Sequence, residues 1–284
     1  MPNRFQHFDT RQKMKGDSYE IFYYQDRHLG PVALHHHDFY EVYFFLGGSV
    51  DYLVEGQTYQ LQPGDLLLIS PLELHQPIIH PDRDPYQRIV LWIKPEFLHR
   101  YSTAGTSLVH CFDISRPAHT NLLRLAPQQQ ELIRQTLDEL LRQTATDQFG
   151  RDILCQALLL QFLVQLNRQI RDGSGTQEPE KESSLTDRVI AYIGDHYAQP
   201  LSLDGLAEEF FVSKYHLSHE FARVMGVSVY RYITLKRLLI ARQMLTTGLR
   251  PSVVYEACGF RDYAGFYRAF KAEYGCSPTE FTQT

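Results

Sequence analysis

From Tyr19 to about Ile93, short apolar runs rich in aromatic and β-branched residues (YEIFYY, FYEVYFFL, SVDYLV, QTYQL, DLLLIS, QRIVLWI) alternate with turn signals at Gly47-Gly48, Glu55-Gly56 and Pro63-Gly64-Asp65. That rhythm predicts a small β-barrel or sandwich. The period then changes. Pro127 opens QQQELIRQTLDELLRQTA, where Leu132, Leu137, Leu140 and Leu141 recur near helical spacing, and RDILCQALLLQFLVQLNRQI repeats the pattern with a wider apolar face. Together they predict a helical hairpin over 127–171. Residues 172–184 are polar and nearly free of apolar side chains, which predicts a flexible linker. From Leu185 to the end the pattern is helical, with start signals at Ser202, Ser213, Ser228 and Asp262 and stop signals at Gly226, Gly248, Gly259 and Gly275. Ser277-Pro278-Thr279-Glu280 is a capping box for a last short helix. The fold class expected is α+β in two domains, a β-barrel over 1–126 with its helical hairpin and an all-α domain over 185–284.

Length agrees, since 284 residues suffice for about two domains with cores of their own. Net charge is −5, from 28 Lys+Arg against 33 Asp+Glu, and by itself says nothing of nucleic acid. Its distribution does. Between 210 and 272 stand ten basic residues (Lys214, Arg223, Arg231, Lys236, Arg237, Arg242, Arg250, Arg261, Arg268, Lys271) against three acids (Glu220, Glu256, Asp262). That asymmetry marks a nucleic-acid-binding half. The amino terminus has no apolar signal core, and no run approaches the roughly 20 residues that span a bilayer, so a cytoplasmic protein without membrane contact is expected. Cys111, Cys155, Cys258 and Cys276 show no CxxC spacing and read as buried or indifferent thiols.

The carboxy-terminal third repeats itself. LDGLAEEFFVSKYHLSHEF (203–221) and PSVVYEACGFRDYAGFYRAF (251–270) share an apolar pair, a turn, a polar N-cap and then an apolar i, i+4 pair, Leu217/Phe221 and Phe266/Phe270. Each copy reads as a helix-turn-helix, whose second helix packs that pair inward and frees its N-terminal polar residues for a major groove. The DNA-reading candidates are Lys214, Tyr215, His216, Ser218 and His219 in the first copy, and Arg261, Tyr263, Ala264, Tyr267 and Arg268 in the second. Between them VYRYITLKRLLIARQMLTT predicts a long helix with Ile233, Leu238, Ala241 and Leu245 buried. Such a spacer would hold two reading helices about one DNA turn (~34 Å) apart.

Over its last hundred residues the chain resembles the AraC/XylS family of bacterial transcription regulators, through LSLDGLAEEFFVSKYHLSHEFARVMGVSVYRYITLKRLLIARQML and the run ACGFRDYAGFYRAFKAEYGCSPTEF. The resemblance implies two helix-turn-helix units on successive major grooves of double-stranded DNA. Two positions depart from the pattern: Tyr255 stands where the first copy has the small Ala207, and Pro251 where an aliphatic residue is usual.

The stretch HHHDFYEVYFFLGG (35–48) carries the other chemistry. On an extended strand His35, His37 and Glu41 point the same way, and His75, after the PGD turn, can join them from a neighbouring strand. The spacing resembles the two motifs of cupin barrels, which implies that His35, His37, Glu41 and His75 line a pocket or hold a divalent metal. His36 points the other way and reads as a surface or packing residue. Tyr43, Phe45 and Trp92 can stack on a sugar ring or belong to the core. Regulators that resemble this chain carry a cupin-like barrel for a small effector, so His35, His37, Glu41, Tyr43, His75 and Trp92 are the effector-binding candidates. The effector expected is a sugar or related metabolite, with no cofactor required and no catalysis. The apolar surface of the hairpin predicts a homodimer, with RNA polymerase a candidate further partner. Two alternatives stay open: a metal-dependent cupin enzyme fused to a DNA-binding domain, and a constitutive DNA-binding protein whose barrel only dimerises.

Overall fold

The computed structural model describes residue 8 and residues 13–71, 73–80, 84–116, 119–173 and 184–282. The chain forms two compact units, its main division falling between 181 and 182. In the first, strands β1 (Tyr19–Asp26), β2 (Tyr40–Gly47), β3 (Val50–Val54), β4 (Gln57–Gln60), β5 (Leu66–Ile69), β6 (His75–Ile79), β7 (Tyr86–Ile93) and β8 (Leu122–Leu123) make two sheets. The larger is ordered β1-β7-β2-β5-β8 and the smaller β4-β3-β6. The two-residue period sorts the central strands into two cores. Val42, Phe44, Ile89, Leu91 and Ile93 enter one together with helical side chains, while Tyr43, Phe45, Tyr86, Val90 and Trp92 enter the other with Tyr52 and Val54 of the smaller sheet. A strand buried on both faces has no polar stripe, which is why YEVYFFL and QRIVLWI read as almost unbroken apolar runs. The pairing of β2 with β7 shifts register between Phe45 and Gly47. Just beyond, Gly48 at φ +109° comes so near β7 that a Cβ there would lie 2.9 Å from Tyr86 Cα.

Three helices close the outer core: α1 (Pro95–Tyr101), α2 (Pro127–Thr144) and α3 (Arg151–Arg171). The sequence reading passes over α1, although Pro95 and Glu96 in its first turn are ordinary start signals. On α2 the buried stripe is Ile133, Leu137 and Leu140, and Leu132, expected inward, is 47% exposed. Helix α2 turns by one residue because its inward stripe follows the 4-3 spacing of 133, 137 and 140. The linker expected over 172–184 falls mainly on 174–183, outside the described residues.

The second unit contains α4 (Leu185–His196), α5 (Leu203–Glu209), α6 (Lys214–Met225), α7 (Val229–Thr246), α8 (Pro251–Ala257), α9 (Tyr263–Tyr274) and α10 (Pro278–Phe281). The side chains of Ser202, Ser213, Ser228 and Asp262 accept the backbone N–H three residues on, from Gly205, His216, Arg231 and Gly265. Each such cap stabilises its helix by about 1 kcal/mol. Ser277 and Glu280 cap α10 reciprocally. The repeat in sequence is also a repeat in backbone. In the turn after α5 Val212 N–H donates to the Ala207 carbonyl at 3.0 Å, and after α8 Phe260 N–H donates to that of Tyr255 at 2.9 Å. The residue before each donor is left-handed, Phe211 at φ +56° and Gly259 at φ +78°, as this helix-ending arrangement demands.

Both departures from the family pattern have a local explanation. Pro251 occupies the first turn of α8, where its missing N–H costs nothing. Tyr255 stays half-buried at the edge of the second helix-turn-helix core, edge-on to Tyr263 with ring centroids 5.8 Å apart. That core is made by Leu238, Ala241 and Leu245 of α7 with Val254, Cys258, Phe266 and Phe270. Ile233, Leu238, Ala241 and Leu245 are all buried as expected, and so are Tyr232, Leu235 and Leu239, so α7 is a core helix more than a bare spacer.

Candidate functional site

His37, Glu41 and His75 converge by a route the strand argument did not foresee. Regular strand begins only at Tyr40, and residues four apart on a strand stand about 13 Å from one another, too far to touch. A bend at Asp38-Phe39 instead brings His37 Nε2 within 3.4 Å of Glu41 Oε2. His75 is delivered by an isolated bridge in which it and His35 exchange backbone hydrogen bonds of 2.9 and 3.1 Å. The ligand atoms of His37, Glu41 and His75 lie within 4.8 Å of one another. His35 stands beside the trio, outside it, its ring centroid 4.3 Å from that of His75. His36 is buried.

The tautomers are set by backbone carbonyls, which can only accept. Nδ1–H of His35 donates to Ala33 at 2.8 Å, that of His37 to Phe39 at 2.8 Å and that of His75 to Glu73 at 2.9 Å. Each Nε2 is thereby left as the ring's basic nitrogen. His75 Nε2 is fully buried without a hydrogen-bond partner. Two such imidazoles and a carboxylate are a donor set a divalent ion accepts, with the other ring nitrogens anchored as ligands usually are. Glu41 already accepts a 2.7 Å hydrogen bond from Trp92 Nε1, which an ion would have to share.

Burial pushes His35 below its ordinary range and His75 well below it, with the charges of His35 and His37 adding to burial at His75. Burial alone would raise Glu41, but the neighbouring His37 and His35 and the hydrogen bond from Trp92 outweigh it and hold the carboxyl below the usual value. A histidine kept neutral by the fold takes up its proton once released, so below about pH 6.5 the unfolded chain binds more protons and stability falls with pH. The first unit is therefore expected to melt lower at pH ~5.5 than at pH ~7.5 in chelator, and His75→Gln to flatten that difference. Trp92, the one tryptophan of the chain, gives the readout; equal slopes in both proteins would remove His75 as the cause.

Beside His35 and Glu41 lies a cavity of about 40 Å³. Of the expected effector residues it is lined by His35, Glu41, Tyr43 and Trp92, whereas His37 and His75 are not in its wall. Phe45 belongs to the core instead. Tyr24, Tyr52, Tyr86 and Arg88 also line it and were missed. The signal was available, since Arg88, Val90 and Trp92 share one face of QRIVLWI at even spacing. A water needs only about 10–15 Å³, but a sugar needs several times the space present, so lining side chains must move to admit one. Arg88 is 2% exposed, with Nη1 donating to Asp26 Oδ2 at 2.5 Å and to the Tyr86 carbonyl at 3.3 Å. Burial works against its charge, but the Asp26 carboxylate beside it keeps the guanidinium protonated.

In the second unit the apolar pairs Leu217/Phe221 and Phe266/Phe270 are buried, as the repeat requires. Lys214, Tyr215, His216 and His219 of the first copy are exposed and Ser218 is half-exposed; Arg261, Tyr263, Ala264, Tyr267 and Arg268 of the second are exposed. Lys214 Nζ pairs with Asp204 Oδ1 at 3.1 Å on the surface. Some of the positive charge counted in the sequence is spent on structure. Arg231 pairs with Glu273 at 2.7 Å and Arg223 with Glu220 at 2.6 Å. Arg237 donates to the carbonyls of Tyr197 and Gln199, both at 2.8 Å. No helix among the described residues is long and apolar enough to cross a membrane.

Residues 206–284 match the family model of a helix-turn-helix domain and residues 19–163 that of an AraC-like ligand binding domain. The chain is 27% identical over 256 residues to the HTH-type transcriptional activator RhaS of Escherichia fergusonii, covering 89% of this chain and 88% of that protein. Against RhaS of Escherichia coli K12 / DH10B it is 25% identical over 251 residues, covering 88% and 87%. Among solved structures, fatty-acid-bound ToxT of Vibrio cholerae aligns with 95% of this chain and 96% of its own at 12% identity and a TM-score of 0.40. With the ligand-binding model spanning just over half of its length and the helix-turn-helix model its carboxy-terminal end, the chain belongs to the AraC family of transcription regulators.

Proposed function

We propose that this regulator reads double-stranded DNA with the N-terminal halves of α6 and α9 and answers to a small ligand, a sugar or related metabolite, taken into the barrel cavity. The observation that carries the DNA reading is the duplicated helix-turn-helix, whose two second helices bury matching apolar pairs and expose basic and aromatic side chains. Lys214, Tyr215, His216, Ser218, His219, Arg261, Tyr263, Ala264, Tyr267 and Arg268 are the contact residues of this reading. His35, Glu41, Tyr43 and Trp92 meet the ligand, and His37 and His75 hold Glu41 and His35 in place or share a divalent ion with Glu41. A chain doing this work needs no catalysis, works in the cytoplasm beside the chromosome, and contacts RNA polymerase if it activates transcription; the RhaS relatives are named as transcriptional activators.

Arg268→Ala and His216→Ala are expected to relax preference at particular base pairs by about 1–3 kcal/mol each, whereas Arg242→Ala on α7 leaves preference unchanged. Titrating a selected operator and random DNA with each variant checks this, and an equal loss on both DNAs for Arg268→Ala would count against its base-reading role. The same titration with ligand and a His37→Ala/Glu41→Ala double variant tests the barrel, which is expected to lose its influence on DNA affinity. We also take the protein to be a homodimer. Of the hairpin's apolar residues Leu137 is buried in its own unit, so the exposed Leu132, Ile153 and Leu154 are the candidate contacts, and sedimentation of the wild-type chain as a monomer would remove this part.

A further inference from the structure

Arg88 is a buried charge with one side unused. Its Nη1 is taken by Asp26 and the Tyr86 carbonyl, but Nη2 is buried with no hydrogen-bond partner, in a side chain that lines the cavity. The guanidinium is packed against the rings of Tyr86 and Tyr24, 4.0 and 4.9 Å from their centroids. Those rings satisfy its faces, not its edge. Leaving a charged donor buried and unmet costs more than leaving a neutral one, and packing alone does not call for it, because an apolar side chain would fill the same space without that cost. Glu41, an acid in the cavity wall, is engaged by Trp92 and His37. The phenols of Tyr43 and Tyr86 in the cavity wall are neutral, since burial holds Tyr43 well above its ordinary value and Tyr86 at about 12.

We propose that Arg88 receives a carboxylate of the ligand, so that the barrel takes a small hydroxylated acid in preference to a neutral sugar. The inference rests on the reading of this cavity as the ligand pocket. Nη2–H would donate to one carboxylate oxygen, pairing charge with charge in surroundings of low polarity, where a sugar hydroxyl offers only a dipole. Hydroxyls of the same ligand would face Glu41 and His35 across the cavity wall, with Trp92 beside them. A carboxylate is favoured over a phosphate because the cavity is small, about 40 Å³, and a single donor edge is free.

The test compares uronic acids with their parent sugars, glucuronate with glucose and galacturonate with galactose, at matched ionic strength on the full-length protein, with glucose 6-phosphate as a further arm. Binding is followed by Trp92 fluorescence and calorimetry. At least one acid is expected to bind about 10- to 100-fold more tightly than its parent sugar, and Arg88→Gln to abolish that preference. Asp26→Asn removes the negative charge that competes for the guanidinium and is expected to strengthen binding of the acid several-fold. This opposite sign decides the matter even where Arg88→Gln folds poorly, because a purely structural pair would lose stability without gaining affinity. The proposal is overturned if no acid outbinds its parent, if the preference survives Arg88→Gln, if Asp26→Asn does not strengthen binding, or if the phosphate is preferred. Neutral sugars that bind and are lost in Trp92→Ala would leave the pocket standing and remove only the carboxylate; an acid bound equally by wild type, Trp92→Ala and Arg88→Gln would place the ligand elsewhere and remove both.

Discussion

Gly259→Ala is expected to destabilise the second unit by about 2–5 kcal/mol and abolish operator binding, while Gly248→Ala costs about 1–2 kcal/mol and leaves binding measurable. Both glycines are left-handed, at φ +78° and +86°, so an added Cβ meets the same local penalty at each. They differ in surroundings. A Cβ on Gly248 would meet nothing within 4 Å, but on Gly259 it would lie 2.7 Å from the carbonyl oxygens of both Tyr197 and Ala198. Those carbonyls cannot easily retreat, because Arg237 grips the same turn through Tyr197 and Gln199. The turn between α8 and α9 therefore carries both a backbone conformation and a close approach that only glycine allows. Helical circular dichroism follows the loss, and Trp92 fluorescence should show the first unit melting unchanged. Equal melting of the two variants would mean that the approach at Gly259 relaxes without cost.

Phe270→Ala is expected to cost about 3–5 kcal/mol, by the cavity left in a core with no slack. Phe270 is fully buried and meets Phe266, Tyr274 and Phe281 at ring centroid distances of 5.5, 4.6 and 5.7 Å. The core around it is small, so few neighbours can close over the gap. For a unit of about 100 residues such a loss lowers the melting temperature by more than ~10 °C. Operator binding should fall with it, because α9 is docked through this side chain. Arg268→Ala, two residues away and exposed, is expected to change stability by no more than about 0.5 kcal/mol. If Arg268→Ala and Phe270→Ala shifted the helical melt alike, the separation of reading face from packing face on α9 would be wrong.

Much of this protein is decided by neighbours in sequence. Strand alternation, the N-caps at Ser202, Ser213, Ser228 and Asp262, the capping box at Ser277 and the duplicated apolar pairs are interactions within a few residues, so they read directly from the chain, and with them the two-part α+β fold and the paired helix-turn-helix. Tertiary structure decided the rest. Whether Leu132 or Ile133 faces inward on α2 depends on the sheet it covers, and whether Arg237 serves DNA or the turn at Tyr197 depends on where that turn lies. His37 reaches Glu41 only through a bend that strand periodicity does not contain. Arg88 looked like one more polar residue in QRIVLWI until two sheets enclosed it, because burial and the count of unmet hydrogen bonds are properties of packing, and packing brings together residues such as Arg88 and Asp26 that no local pattern connects.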